Sequence, residues 1–237
     1  MSIYNILLAY GGKKIISLFI SADTNNYDVK TNATAAGYVA GKSQINLTIN
    51  SGVVVGSASA ANPAINITGF TTGDVVLVNN NGRIQGAGGT GGSSPANAAG
   101  NAGGAGGTAV AVSYTSIINN YGIISGGGGG GGGADGYRNP DQGGWMWFQA
   151  GNSESRGGGG GGAGRIPGSG GSGNGAGGPG NLDAGGGPGT SGGSGGGPGI
   201  AGTSSGYGRA GGSAGNYIQG SSFVQWGYTG SRYGGSA

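Results

Sequence analysis

Residues 126–162, GGGGGGGGADGYRNPDQGGWMWFQAGNSESRGGGGGG, set the most varied chemistry of the chain between two runs of unbroken glycine. A flexible linker would account for the glycines but leave Trp145, Met146, Trp147 and Phe148 without a role. A rigid frame carrying a decorated connection accounts for both. Ordering glycine is costly, because it loses more backbone freedom than any other residue, and backbone ordering in general costs about 1–2 kcal/mol per residue. With no side chains to bury, the compensation has to come from backbone N–H and C=O groups, at about 0.5–1.5 kcal/mol net per hydrogen bond. Extended left-handed helices of the polyproline II type have three residues per turn and no internal hydrogen bonds, so their polar groups all point outward. Lacking Cβ atoms, such glycine helices can lie side by side and bond to neighbours on several sides. At ~3.1 Å per residue, the run 126–133 spans ~25 Å.

The same design extends toward the C-terminus, where GGPG begins at residues 177, 186 and 196, with proline already holding the φ that such a helix needs. The segments between runs are expected to emerge as loops at rod ends: 134–156, 203–209 (TSSGYGR) and 216–233 (NYIQGSSFVQWGYTGSRY). Runs of alternating direction place successive loops at opposite ends.

Toward the N-terminus the rules change. INLTI (45–49), GVVVG (52–56), AINIT (64–68) and DVVLV (74–78) are short strand-like runs separated by turn residues. Their alternation of apolar with Asn, Thr or Ser is that of half-buried strands, expected here to pair antiparallel. Residues 1–81 therefore read as a small β-rich domain and 82–237 as a glycine-rich one. A repeat joins them: VLVNNNGRIQGAGG (76–89) aligns with SIINNYGIISGGGG (116–129), matching Asn79, Asn80, Gly82, Ile84 and Gly86 to Asn119, Asn120, Gly122, Ile124 and Gly126. One structural unit used twice is the expectation.

Composition excludes much chemistry. The 237 residues include 68 glycines, with no cysteine and no histidine, which removes disulfides, thiolate zinc sites and His-based catalysis. Ten basic and seven acidic residues are too few and too scattered for a nucleic-acid stripe. The apolar runs 3–9 and 15–20 are strand-length and split by Gly11, Gly12, Lys13 and Lys14, so neither membrane insertion nor a signal peptide is expected. No cofactor is implied.

Two nucleotide-loop patterns fail on context. AGYVAGKS (36–43) fits a relaxed phosphate loop, but SQINLTIN follows it as a strand rather than a helix. Gly86, Gly88 and Gly91 match GxGxxG, yet no dinucleotide-binding helix follows and no acidic residue lies at the required distance.

The rich insert carries Asp135, Asp141 and Glu154. Two carboxylates among tryptophans are what glycoside hydrolysis uses, but pairing with Arg138 and Arg156 as loop-ordering ion pairs is the plainer reading. The aromatic residues either pack together to anchor loops or form a contact patch. Aromatics, Met and Arg are enriched at interface centres, and Tyr/Gly/Ser loops have the chemistry of antibody paratopes. All six arginines lie beyond residue 82 and all four lysines before it.

A β-rich head followed by GGGGGGGG, GGGGGG and the GGPG series, separated by aromatic loops, resembles the distal tail-fibre adhesins of T-even-type bacteriophages, over roughly residues 82–237. The resemblance implies a mainly β N-terminal domain, a bundle or sandwich of packed polyglycine II helices with long loops, and little or no α-helix. It further implies a non-enzymatic protein at the tip of a virion tail fibre, made in the host cytoplasm. Its loops would bind a bacterial outer-membrane protein or surface glycan, and its N-terminal domain would attach to another tail-fibre or tail protein. The candidate receptor contacts are Tyr137, Arg138, Trp145, Trp147, Phe148, Tyr207, Arg209, Trp226, Tyr228, Arg232 and Tyr233. The alternatives are a tail-associated polysaccharide hydrolase and a glycine-rich structural or antifreeze-like protein.

Overall fold

A computed structural model of the chain describes residues 12–95, 98–135, 157–173, 175–206 and 209–237. The expected strands form, but they are parallel. Among the described residues they fall into three sheets of five. One sheet contains β1 (Lys14–Ile20), β4 (Ser43–Ile49), β7 (Val75–Asn80), β10 (Ser116–Asn120) and β13 (Val224–Tyr228). The second contains β2 (Thr24–Asn25), β5 (Val54–Gly56), β8 (Arg83–Gln85), β11 (Ile123–Ser125) and β14 (Ser231–Tyr233). The third contains β3 (Tyr27–Asp28), β6 (Ile65–Ile67), β9 (Val110–Val112), β12 (Asn216–Gln219) and β15 (Gly235–Ser236). The chain visits the three sheets in turn and advances one strand per circuit, so it is a three-sided parallel β-solenoid of five coils.

The antiparallel expectation is thus corrected, for a physical reason. Alternating burial reports that one strand face is dry and the other wet, and a solenoid wall satisfies this as well as a hairpin does. Side chains of one parity point into the interior and stack coil upon coil. Leu18, Leu47, Val78 and Ile118 occupy one such column, in register through β1, β4, β7 and β10, and Val55, Ile84 and Ile124 occupy another. These side chains are buried, each contributing about 1.5–3 kcal/mol. Columns of branched aliphatic residues suit stacking because successive coils repeat the same cross-section.

The internal repeat is coil on coil. Asn79 pairs with Asn119, Asn80 with Asn120 and Ile84 with Ile124. The boundary expected at residues 81 and 82 falls inside the third coil, between β7 and β8, and the strands beyond it belong to the same three sheets. Head and glycine-rich part are therefore interleaved.

The interleaving occurs at one corner, between the second and third sheets. In the first coil that corner is Asn26 alone, at φ 51°, its side chain bonded to Ser57, Pro63 and Ala58. In the last coil it is Gly234, at φ 108°. In the second coil it is 57–64, while in the third and fourth it grows to 86–109 and 126–215. All the glycine-rich runs are insertions at this corner.

Among the described residues the single α-helix, α1 (Val29–Ala35), joins the first coil to the second. It is capped by Asp28, whose Oδ1 accepts from Thr31 N at 2.6 Å, and it buries Val29 and Ala33. The turn after it leads into β4, so the phosphate-loop pattern is a connection between a helix and a strand. The apolar run 3–9 lies outside the described residues. No helix among the described residues is long and apolar enough to cross a membrane.

Candidate functional site

The glycine runs form a bundle of three-residue helices, and their hydrogen bonds show it directly. Gly127, Gly130 and Gly133 donate to Gly107, Gly104 and Asn101, while Gly128, Gly131 and Ala134 donate to Ala163, Gly160 and Gly157. Gly129 and Gly132 donate to Ile200 and Thr203. Each set recurs every third residue, as a threefold helix demands. Carbonyls do the same: Gly128 and Gly131 accept from Gly89 and Gly92, Gly127 and Gly130 from Gly215 and Gly212, and Gly129 and Gly132 from Gly196 and Gly193. The run 126–134 is thus surrounded by six others. None of its glycines takes a positive φ, consistent with the left-handed form.

The close approach explains the composition. A Cβ on Gly130 would overlap the carbonyl oxygen of Thr90, and one on Gly127 that of Ala87. GxGxxG at residues 86–91 is part of such a run rather than a dinucleotide loop.

Partner numbering gives direction. Numbers that fall as the run rises mark antiparallel neighbours, and numbers that rise with it mark parallel ones. By this criterion 86–94, 126–134, 166–172, 184–190 and 200–205 lead away from the solenoid, and 100–107, 157–164, 175–181, 192–199 and 209–215 return to it. The base is tied to the solenoid wall. Arg165 lies 3.7 Å from Asp23 and donates to Asn25, Arg83 pairs with Asp183, and Gln85 donates to Leu182 O at 2.8 Å.

The far end gathers connections widely separated in sequence. Ser94 N donates to Ser172 O, Asn101 N to Ser93 O, Gly157 N to Thr190 O and Gly206 N to Ser191 O. Asp135 stands at the start of the rich insert. Its Oδ1 accepts from Gly100 N at 2.8 Å and from Arg209 Nε at 2.8 Å. Ser205 N donates to Arg209 O at 2.8 Å, and Arg209 N donates to Ser205 Oγ at 3.0 Å, so Ser205 and Arg209 are held together. Both described flanks of the 136–156 segment, Asp135 and Gly157, therefore stand at the same end as the Ser205–Arg209 turn.

The expected contact residues divide accordingly. Tyr137, Arg138, Trp145, Trp147, Phe148 and Tyr207 lie outside the described residues, as do Asp141 and Glu154. Arg209 is at the far end, paired with Asp135. The remaining four are elsewhere: 216–233, expected as a loop, contains β12, β13 and β14. Trp226 lies above Ile118 and Arg232 above Ile124, at the top of the interior columns. The Arg232 guanidinium sits 4.8 Å from the Trp226 ring and 5.3 Å from that of Tyr217, so these residues close the last coil. Tyr228 stacks on Tyr121 with ring centroids 5.0 Å apart, and Tyr233 is exposed on β14. Sequence reasoning missed this closing role because the last coil replaces aliphatic stacking by aromatic and cationic stacking. It also missed the Asp135–Arg209 pair, since no signal said which run ends meet. The ion pairs expected with Arg138 and Arg156 fall on residues outside the description.

The family model of the phage tail fibre adhesin Gp38 matches residues 15–237. Among solved structures, the chain is similar to the gp37–gp38 adhesin tip complex of the bacteriophage S16 long tail fibre. The TM-score is 0.64 at 24% identity, covering 95% of this chain and 82% of that one. The likeness shows a shared fold. Comparison with curated proteins gives no match.

Proposed function

The chain belongs to the phage tail fibre adhesin Gp38 family, and from that premise we propose that it binds a bacterial surface receptor through the far end of its glycine bundle. As a member of that family it is a virion tail-fibre protein. The observation that carries the proposal is the polarity of the runs, which brings both flanks of the 136–156 segment and the Ser205–Arg209 turn to the end remote from the solenoid. The contact residues are then Tyr137, Arg138, Trp145, Trp147, Phe148 and Tyr207, whose aromatic and arginine chemistry suits interface centres. Trp226, Tyr228, Arg232 and Tyr233, on the last coil, are not part of it.

The receptor is an outer-membrane protein or a surface glycan. The solenoid attaches the chain to another tail-fibre protein, a reading supported by the similar structure being a complex of two such proteins. The protein is not an enzyme in this account. Asp135, one of the carboxylates a hydrolase would use, is engaged by the Gly100 N–H and the Arg209 guanidinium.

The test is binding of the purified chain to intact Gram-negative host cells. Saturable binding that blocks subsequent adsorption of the parent phage is expected. Binding that never saturates, or that leaves phage adsorption unchanged, contradicts the proposal.

A further inference from the structure

We propose that Asp135 and Arg209 are positioning residues: together they fix where the far end of the run 200–205 sits against the runs that the solenoid already anchors, and thereby hold the receptor-contact turns in place. This rests on the receptor reading above. The problem they solve is inherent in polyglycine. A helix with three residues per turn repeats its hydrogen-bonding surface every three residues, or about 9 Å. Sliding one run past another by that step restores an equivalent set of backbone bonds. Backbone pairing alone therefore leaves register degenerate, and a specific side-chain contact is needed to select one, much as a single buried polar residue selects register in a coiled coil.

The runs 86–94, 100–107, 126–134 and 209–215 are fixed at the base, because each continues directly into a solenoid strand or the short link to one. The outgoing run 200–205 has no such continuation, and its far-end turn is where the clamp acts. Asp135 ends the outgoing run 126–134, and Gly100 and Arg209 begin two returning runs. One carboxylate oxygen joins all three connections, accepting from Gly100 N and Arg209 Nε at 2.8 Å each. The Arg209 main chain in turn holds Ser205, its C=O accepting from Ser205 N and its N–H donating to Ser205 Oγ, so the guanidinium bond to Asp135 sets where that main-chain pair stands. Both members of the pair are 40% exposed. A charge so placed adds modestly to stability, which fits a part that chooses a geometry rather than one that holds the bundle together.

Asp135→Asn removes the charge at constant size, and Arg209→Gln removes the guanidinium and its Nε donor while leaving a shorter polar side chain. Each variant, the double variant and a chain with 137–155 replaced by a short Gly/Ser loop would be compared for thermal unfolding, amide hydrogen exchange and cell binding. Each single variant should leave the melting temperature near that of the unaltered chain and speed exchange at Gly100, Ser205 and Gly206. Each should also weaken binding roughly two- to tenfold through faster dissociation. The double variant should be no weaker than the weaker single one, because both act through one contact. Unchanged exchange, or losses that multiply in the double variant as for two independent contacts, overturns the clamp. Faster exchange in the variants with undiminished binding by the 137–155 replacement would instead keep the clamp and overturn the receptor reading on which its purpose rests.

Discussion

Asn80 and Asn120, forty positions apart, stand in adjacent coils with the Asn80 side-chain amide donating to Asn120 Oδ1 at 2.8 Å. Both are fully buried. Asn120 passes the chain of bonds on, donating to Thr229 O at 3.0 Å and Ser231 O at 3.1 Å, and Asn80 Oδ1 accepts from Gly82 N at 3.2 Å. The column begins with Ile20 and Ile49 and changes to asparagine in the coils that carry the long insertions. At the corner between the first and second sheets the ladder satisfies backbone groups that a tight turn would otherwise strand.

Replacing Asn120 by alanine should therefore cost about 1–3 kcal/mol, the penalty of leaving buried groups unpaired. The Asn80→Ala, Asn120→Ala double variant should lose less than the sum of the singles, as expected for partners in one network. Urea unfolding of the set measures this, and strictly additive losses would show that the ladder is not a unit.

Gly130→Ala should damage the bundle more than its size suggests. The added Cβ meets the Thr90 carbonyl from a neighbouring run, and relief requires displacing backbone, at about 1–3 kcal/mol or more. Gly187→Ala, where nothing lies within 4 Å of the added atom, should be tolerated. Equal melting temperatures for the two variants would contradict the close-packed arrangement.

Asp28 links pH to the first coil. Burial alone would raise its carboxyl, but donors from Thr31, Asn66 and the Lys30 backbone outweigh it and hold the group below its usual value. A carboxylate lowered in the folded state contributes stability above its unfolded pKa and loses it as pH falls through the folded one. Asp28→Ala should thus cost about 1 kcal/mol near neutrality, the worth of a helix cap. The gap from the unaltered chain should narrow as pH falls below the usual carboxylate range and the folded-state Asp28 takes up its proton. A gap that widens on acidification would reverse the sign.

Trp226→Ala should be a stability variant rather than a binding one. Trp226 packs against the core under Arg232, and its truncation should cost about 3 kcal/mol while leaving cell binding per folded molecule unchanged. A folded Trp226→Ala protein that fails to bind cells would return the last coil to the contact surface.

Much of this was legible in the sequence. The alternation in INLTI and DVVLV marks β4 and β7, and the match of Asn79 and Asn80 to Asn119 and Asn120 is the coil repeat itself. Strand direction was not legible, because alternation encodes which face is wet and nothing about the neighbour. Nor was the interleaving: β12 to β15 have few aliphatic residues, and a coil closed by Trp226 and Arg232 reads as an aromatic loop until Ile118 and Ile124 are seen beneath it. The glycine runs were recognisable as a frame from composition and backbone energetics. Which ends meet depends on run polarity, and polyglycine carries no mark of direction.

The central claim is that the end of the bundle remote from the solenoid makes the receptor contact. Its most direct test compares saturable binding to Gram-negative host cells by the full chain and by a chain in which residues 137–155 are replaced with a short Gly/Ser loop, both shown to be folded by circular dichroism. The account predicts that the full chain binds and the replaced chain does not. Equal binding by the two would place the contact elsewhere and contradict the claim.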